Sequence, residues 1–551
     1  MRNKILTPIT LYKNFNDALP LKEVTVKSMQ IGNADFNYVY FSGRQVKNSR
    51  VRIYGLYAKQ KEKSLGSILI LPDVKDSIDS KLVHHFSNLG YDVLAIDLKG
   101  ECDNSIDFTK YPLEVEYANY NKCDRSFNFV DNTAKETCWY EWTCVARYAV
   151  NFLKTQNPND KIGVLGIKNG ANVLWHLAGT DKRIDASIFL FGGGWLAYKN
   201  LSKFNGNTIE IDDERTKFLA GIDAQAYAQY VECPVLYLST TNSGEFDSER
   251  AQDTLLRLND NVERYLNLLT QSKSVLDDHA LKNCELFFKK YLTETKTTLV
   301  KPKIEVSVEE DELVFTVASL KKADILSVKV FVSFDDVSPK DRVWYNVSKY
   351  EINKSGHYKF RQRVYGNTDN VIAFAVVTYK NGFTSSTDYF YKKASIDSSS
   401  SFPSVVFSST RIPSNFIVED IDAELLGDVF CLDNFYNFEK GPCDILGISS
   451  ENTITSYAVK KIASKLNDDS FIKFDVYFKL SDKLKVVIKT NNDVEYSYEL
   501  SVKGGDFWQN IQIPFTDFKT ANGQSLKDIK SINSISLSAI GKMMVNNFIL
   551  I

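Results

Sequence analysis

The chain has 551 residues, with 67 basic against 69 acidic side chains, a net charge of -2 and a pI of about 6.3. That length exceeds what one hydrophobic core spans and points to about three domains. Balanced charge excludes the basic footprint of a nucleic-acid binder, and no apolar run approaches the roughly 20 residues of a membrane-crossing helix, so neither nucleic acid nor membrane is an expected partner.

The N-terminus, MRNKILTPITLYKNF, carries charge without the apolar stretch and small-residue cleavage site of a secretory signal. The expected location is the cytoplasm, or an extracellular surface if a leader preceded this sequence. Over residues 1–297, short apolar runs alternate with helical stretches, the pattern of a mostly parallel sheet covered by helices on both faces. VTVKSMQ, FNYVYFSG and VRIYGLYAK read as an antiparallel lead-in. SILILPD (67–73), YDVLAIDLKG (91–100), KIGVLGI (161–167), ASIFLFG (186–192) and PVLYLST (234–240) read as strands. DSKLVHHFSNLG, TCWYEWTCVARYAVNFLK, residues 171–178 and a closing CELFFKKYL read as helices. An insertion at about 195–232 reads as a cap. Gly192-Gly193-Gly194-Trp195 reads as the turn into it, since no G-x-G-x-x-G opens a helix there.

From Lys301 the pattern is strands alone: KIEVSVEE, ELVFTVAS, SVKVFVSF, HYKFRQRVY and NVIAFAVVTYKNGFTSSTDYFY. Asn381-Gly382 between two alternating runs is a hairpin signal. Residues 298–394 therefore form a β-sandwich in this reading, resembling immunoglobulin-like or fibronectin-like modules. SIDSSSSFPS marks a linker at 395–404, and 405–551 is a second strand-rich unit. Its WQNIQIPFTDF and LDNFYNFEKG segments resemble galactose-binding-like jelly rolls of carbohydrate-binding modules. That resemblance makes Trp508 and Tyr477 the candidate sugar-stacking aromatics, with a polysaccharide or acylated sugar as the partner.

Between the run at 161–167 and the helix that follows it stands GIKNG (166–170). Strand, Gly-x-Ser-x-Gly and helix in immediate succession make a nucleophile elbow, and here Lys168 occupies the serine position. GYDVLAIDLKGECDNS (90–105) resembles the strand and loop that α/β-hydrolases write as G-Y-x-V-L-x-x-D-x-R-G-x-G-x-S. With ETCWYEW (136–142) and the strand order, residues 1–297 resemble the acetyl xylan esterase and cephalosporin C deacetylase branch of that superfamily. The resemblance implies an α/β-hydrolase fold followed by two all-β domains, and a triad in the order nucleophile, acid, histidine. A protonated amine has no lone pair with which to attack a carbonyl. The acid position after PVLYLST reads Thr240-Thr241-Asn242-Ser243, so Ser243 replaces the acid, with Glu245 and Asp247 as nearby substitutes. The histidine position is met by His279, in the loop before the terminal helix. His84 and His85 read as packing residues, and His176, eight residues past Lys168 in the elbow helix, stands about 12 Å away along its axis, too far for direct contact.

The resemblance also implies an oxyanion hole from the backbone of Asn169 and of the LPDVKD loop, at Asp73 and Val74. Backbone donors survive side-chain replacement, so the pocket can hold a carboxylate or an acetyl oxygen. No cofactor signature accompanies Lys168. The eight cysteines, at 102, 123, 138, 144, 233, 284, 431 and 443, form no CxxC pair and no Cys/His cluster, so no metal is expected. Reduced thiols are the expectation, with Cys431 and Cys443 the pair whose spacing makes a disulfide worth testing. The leading reading is a catalytically degenerate esterase that binds a ligand or partner. An active carbohydrate deacetylase with a non-standard catalytic set and a structural assembly protein are the alternatives.

Overall fold

The structure is a computed structural model. It describes residues 5–551 except 19, 103–105, 199–200, 205–209, 244–245, 270–273, 275, 319–323, 340–341, 348–349, 353–356, 365–366, 397, 399–403, 409–416, 420–430, 433–437, 452 and 458. The short helix α1 (Pro8–Tyr12) precedes three antiparallel strands, β1 (Val24–Ile31), β2 (Ala34–Val46) and β3 (Ser49–Gln60). Then strands and helices alternate: β4 (Ser67–Leu71), α2 (Ser80–Asn88), β5 (Asp92–Ile96), α3 (Cys138–Gln156), β6 (Ile162–Ile167), α4 (Asn169–Thr180) and β7 (Ala186–Leu190). Next come α5 (Asp213–Gly221), β8 (Val235–Thr240), α6 (Ser248–Leu255), β9 (Arg264–Leu269) and α7 (Asp278–Leu292).

The sheet order is β1-β2-β3-β5-β4-β6-β7-β8-β9. β3 meets β5 antiparallel, and every pair from there to β9 is parallel. Strands β4 to β8 are wholly buried apart from Ile167 at the end of β6, because helices cover both faces, and this is why they read as unbroken apolar runs. α3 and α4 pack on one face with Trp139, Trp142 and Trp175, while α2 and α7 cover the other with Phe86, Phe287 and Phe288.

Two corrections to the sequence reading concern this half. β9 was not among the expected strands; its RYLNLL run has a central asparagine that weakens the apolar signal. α7 begins at Asp278, six positions before the expected CELFFKKYL, because Asp277 caps it by accepting the N–H of Ala280 at 2.7 Å. His279 therefore lies in the first turn of a helix and not in a loop.

The second segment holds β10 (Lys303–Glu309), β11 (Glu312–Ala318), β12 (Ile325–Phe334), β13 (Tyr345–Asn346), β14 (Tyr350–Ile352), β15 (Tyr358–Arg363), β16 (Thr368–Tyr379), β17 (Thr384–Ser386) and β18 (Phe390–Ile396). β10-β11-β15-β14 make one sheet. The other, built on β16 with β12, β17 and β18, continues the first sheet: β17 pairs with β9 at Ser386 and Leu266. The Asn381-Gly382 turn closes the β16–β17 hairpin, with Gly382 at φ 88° and its N–H on the Tyr379 carbonyl at 2.9 Å. Among the described residues, the last segment packs two antiparallel sheets of six strands each around a core of residues such as Phe474, Ile488, Ile535 and Val545.

Candidate functional site

β6 ends at Ile167 and α4 begins at Asn169, so Lys168 alone makes the turn. Its φ of 52° and ψ of -116° suit glycine and strain a residue with a side chain. The surroundings hold it there: its N–H donates to the Leu190 carbonyl at 2.7 Å, and its own carbonyl accepts from Ala171 at 3.0 Å. The flanking glycines are sterically required. A Cβ on Gly170 would stand 2.1 Å from the Pro72 oxygen, and one on Gly166 would stand 2.7 Å from the Ala171 Cα. This is the sharp strand-to-helix elbow that exposes a nucleophile at the end of a parallel sheet, with a partly buried lysine on its tip.

Behind that tip lies a buried polar chain. Asn169 Nδ2 donates to Asp73 Oδ1 at 3.1 Å, Asn172 Nδ2 to Asn169 Oδ1 at 3.4 Å, and the Gly194 N–H to Asn172 Oδ1 at 3.0 Å. Asn172 escaped the sequence reading, although its spacing of three from Asn169 puts both on one helix face. Asp73 is 1% exposed. Its Oδ2 has no hydrogen-bond partner, and Lys75 Nζ stands 3.9 Å from it. Burial pushes its carboxyl up to about 6, against the opposing pull of Lys75 and the Asn169 hydrogen bond. Among the described residues, the backbone N–H groups of Asn169 and Val74 meet no acceptor. Two backbone donors are thus available to a ligand.

The remaining candidate residues are not drawn into a triad. His279 is exposed, and among the described residues no hydrogen bond or ion pair joins it to Lys168 or Ser243. Ser243 is 5% exposed, and its hydroxyl accepts the Phe246 N–H at 3.0 Å. Asp247 caps α6, accepting from Glu249 at 2.8 Å and Arg250 at 3.3 Å, so its carboxylate is committed to the helix end. Glu245 lies outside the described residues. His176 is buried, stacked on Tyr227 at 4.1 Å, and pushed down to about 3 by desolvation, which keeps it neutral. His85 pairs with Glu285 at 3.0 Å.

The loop after β8, where the acid was expected, contacts the second segment. Asn242 Nδ2 donates to the Arg342 carbonyl at 2.8 Å, and Trp344 Nε1 donates to Asn242 Oδ1 at 3.1 Å. Arg342 forms an ion pair with Glu249 in which both side chains are fully buried. Its guanidinium also donates to the carbonyls of Asp336 at 2.8 Å and Val337 at 3.1 Å. The loop after β8 and the start of α6 thus seat the second segment. Pairing across 93 residues leaves no local signature, so sequence reading could not find it.

In the last segment, Trp508 and Tyr477 come together at 6.0 Å between ring centroids, both partly buried. The indole lies against Gly441 and Gly447, at each of which a Cβ would stand 2.7 Å from the ring, and its Nε1 donates to the Pro442 carbonyl at 3.1 Å. Cys443 is a free thiol; the Cys431 side chain lies outside the described residues.

No protein-family model and no curated protein matches the chain. Among solved structures it is similar to acetyl xylan esterase 1 from Thermoanaerobacterium sp. JW/SL YS485, at 15% identity and a TM-score of 0.34, over 46% of this chain and 82% of that one. It is also similar to an acetyl xylan esterase from Paenibacillus sp. R4, at 14% identity and a TM-score of 0.41, over 53% and 96%. A third is the acylaminoacyl peptidase of Pyrococcus horikoshii, at 14% identity and a TM-score of 0.37, over 48% and 43%. These likenesses extend over about half of the chain.

Proposed function

We propose that this chain is a catalytically silent hydrolase-like protein that binds an acyl group at its elbow without cleaving it, the acylated ligand being a saccharide. The observation that carries the reading is the elbow itself. Its strained backbone and unpaired Asn169 and Val74 donors are kept, while its tip is Lys168 and its acid loop is a joint to the second segment. Two unpaired N–H groups suit a carbonyl oxygen. Asp73 beside them, ionised at neutral pH, favours a neutral acyl ester over a free carboxylate. The adjacent pair Trp508 and Tyr477 supports sugar stacking elsewhere on the same ligand.

Calorimetric titration with an acetylated oligosaccharide, followed by an assay for free acetate, tests this. The expected outcome is binding without acetate release, weakened by Lys168→Glu. Acetate released above the buffer rate would overturn the reading.

A further inference from the structure

On the opposite side of the first sheet from α3 and α4, the β2–β3 hairpin and α2 enclose two adjoining cavities. The first, of about 210 Å³, is floored by Tyr38 and Tyr54 and walled by Ser77, Asp97, Lys99 and Asp107. The second, of about 330 Å³, is lined by Met29, Ile31, Phe36, Lys81 and His84, and it shares Tyr38, Leu56 and Ser80 with the first. The floor follows from strand register: Tyr38 pairs with Leu56 and Tyr40 with Tyr54, so alternation puts all four on one face. The rings of Tyr38 and Tyr54 lie 6.2 Å apart at 19°, and those of Tyr40 and Tyr54 lie 5.1 Å apart. The wall is held rigid, because the buried Asp97 carboxylate accepts the N–H groups of Thr109 at 2.7 Å and Gly100 at 3.1 Å.

The lining decides the ligand class. Asp97 and Asp107 oppose an anion, and Lys99 among them opposes a cation. What matches a mixed set of donors and acceptors around stacked tyrosine faces is a neutral ring with many hydroxyls and one apolar face. The second cavity sets Met29, Ile31, Phe36 and Leu56 against Ser80, Lys81 and His84 and continues from the first, so its apolar residues take an apolar substituent on that ring. We propose that the paired cavity binds a neutral glycoside, its sugar against Tyr38 and Tyr54 and its apolar aglycone along Met29, Ile31 and Phe36. This site is separate from the elbow and stands or falls independently of it.

Saturation-transfer NMR on the full chain tests the assignment, with octyl glucoside below its micelle concentration as probe and octyl sulfate and octyltrimethylammonium as charged controls. The glucoside should bind in preference to both controls. Tyr54→Ala should weaken it by about tenfold or more, and so should Ser80→Trp, a surface change at the junction of the cavities that leaves the core intact. Trp508→Ala should leave it unchanged. Equal binding of all three amphiphiles, preference for a charged one, or insensitivity to Ser80→Trp and Tyr54→Ala would overturn the proposal.

Discussion

Replacing Asp73 by asparagine should make the protein more stable at pH 8 and leave it nearly unchanged at pH 4. Burial holds the carboxyl at about 6 in place of its ordinary 3.8, and Oδ2 has no hydrogen-bond partner. A folded-state value above the unfolded one means that the native protein holds the proton more tightly. Stability is therefore lost as pH rises from about 4 through about 6, and the loss is complete above that window. A gap of about two pH units at about 1.4 kcal/mol each is worth roughly 3 kcal/mol. Asparagine keeps an oxygen for Asn169 Nδ2, which donates to Asp73 at 3.1 Å, and removes the charge. Urea unfolding of both proteins at several pH values from 4 to 8 measures the difference directly. Other buried acids such as Asp97 and Asp223 cancel between the two proteins. A stability difference that is flat with pH, or that favours the wild type at pH 8, would refute the argument that Asp73 is a destabilised anion.

Lys168→Gly should stabilise by about 1 kcal/mol. Relief of roughly 1–3 kcal/mol of backbone strain outweighs the roughly 0.5–1 kcal/mol entropic cost of glycine, and a fall in melting temperature would contradict the strained φ of 52°. Glu249→Gln should destabilise by about 3–5 kcal/mol, because it leaves Arg342 charged and fully buried, whereas the double change Glu249→Leu with Arg342→Met should be far milder than the two single losses summed. A double-mutant cycle on unfolding free energy checks the pair. Trp344→Ala should cost about 3–5 kcal/mol, since the indole is 2% exposed, packs edge-on to Phe374 at 4.9 Å and donates to Asn242. A marginal effect on the unfolding midpoint would show that the joint is not tight. His279→Ala should change stability by less than about 0.5 kcal/mol, because the ring is exposed and unpartnered among the described residues.

The first sheet was legible because its parallel strands are buried on both faces and so read as continuous apolar runs, and because GIKNG places glycines where backbone must approach backbone. The elbow was readable for the same reason, down to the residue at its tip. β9 and the start of α7 were not, since Asn267 interrupts the one and the acidic cap Asp277 extends the other past its apolar stripe. Nor were the contacts of the loop after β8. Nothing local announces that Asn242 and Glu249 face Trp344 and Arg342 from another segment. The continuation of the sheet through β17 was equally hidden, because a hydrogen-bonded edge carries no side-chain code. The tyrosine floor was present in FNYVYFSG and VRIYGLYAK, but only register showed that Tyr38, Tyr40 and Tyr54 share a face.

Hydrolysis of p-nitrophenyl acetate by the purified protein, beside Lys168→Ala and His279→Ala, tests the silent-elbow account most directly. The account predicts a rate at buffer background for all three. Turnover by the wild type that both substitutions abolish would contradict it and make Lys168 and His279 participants in catalysis.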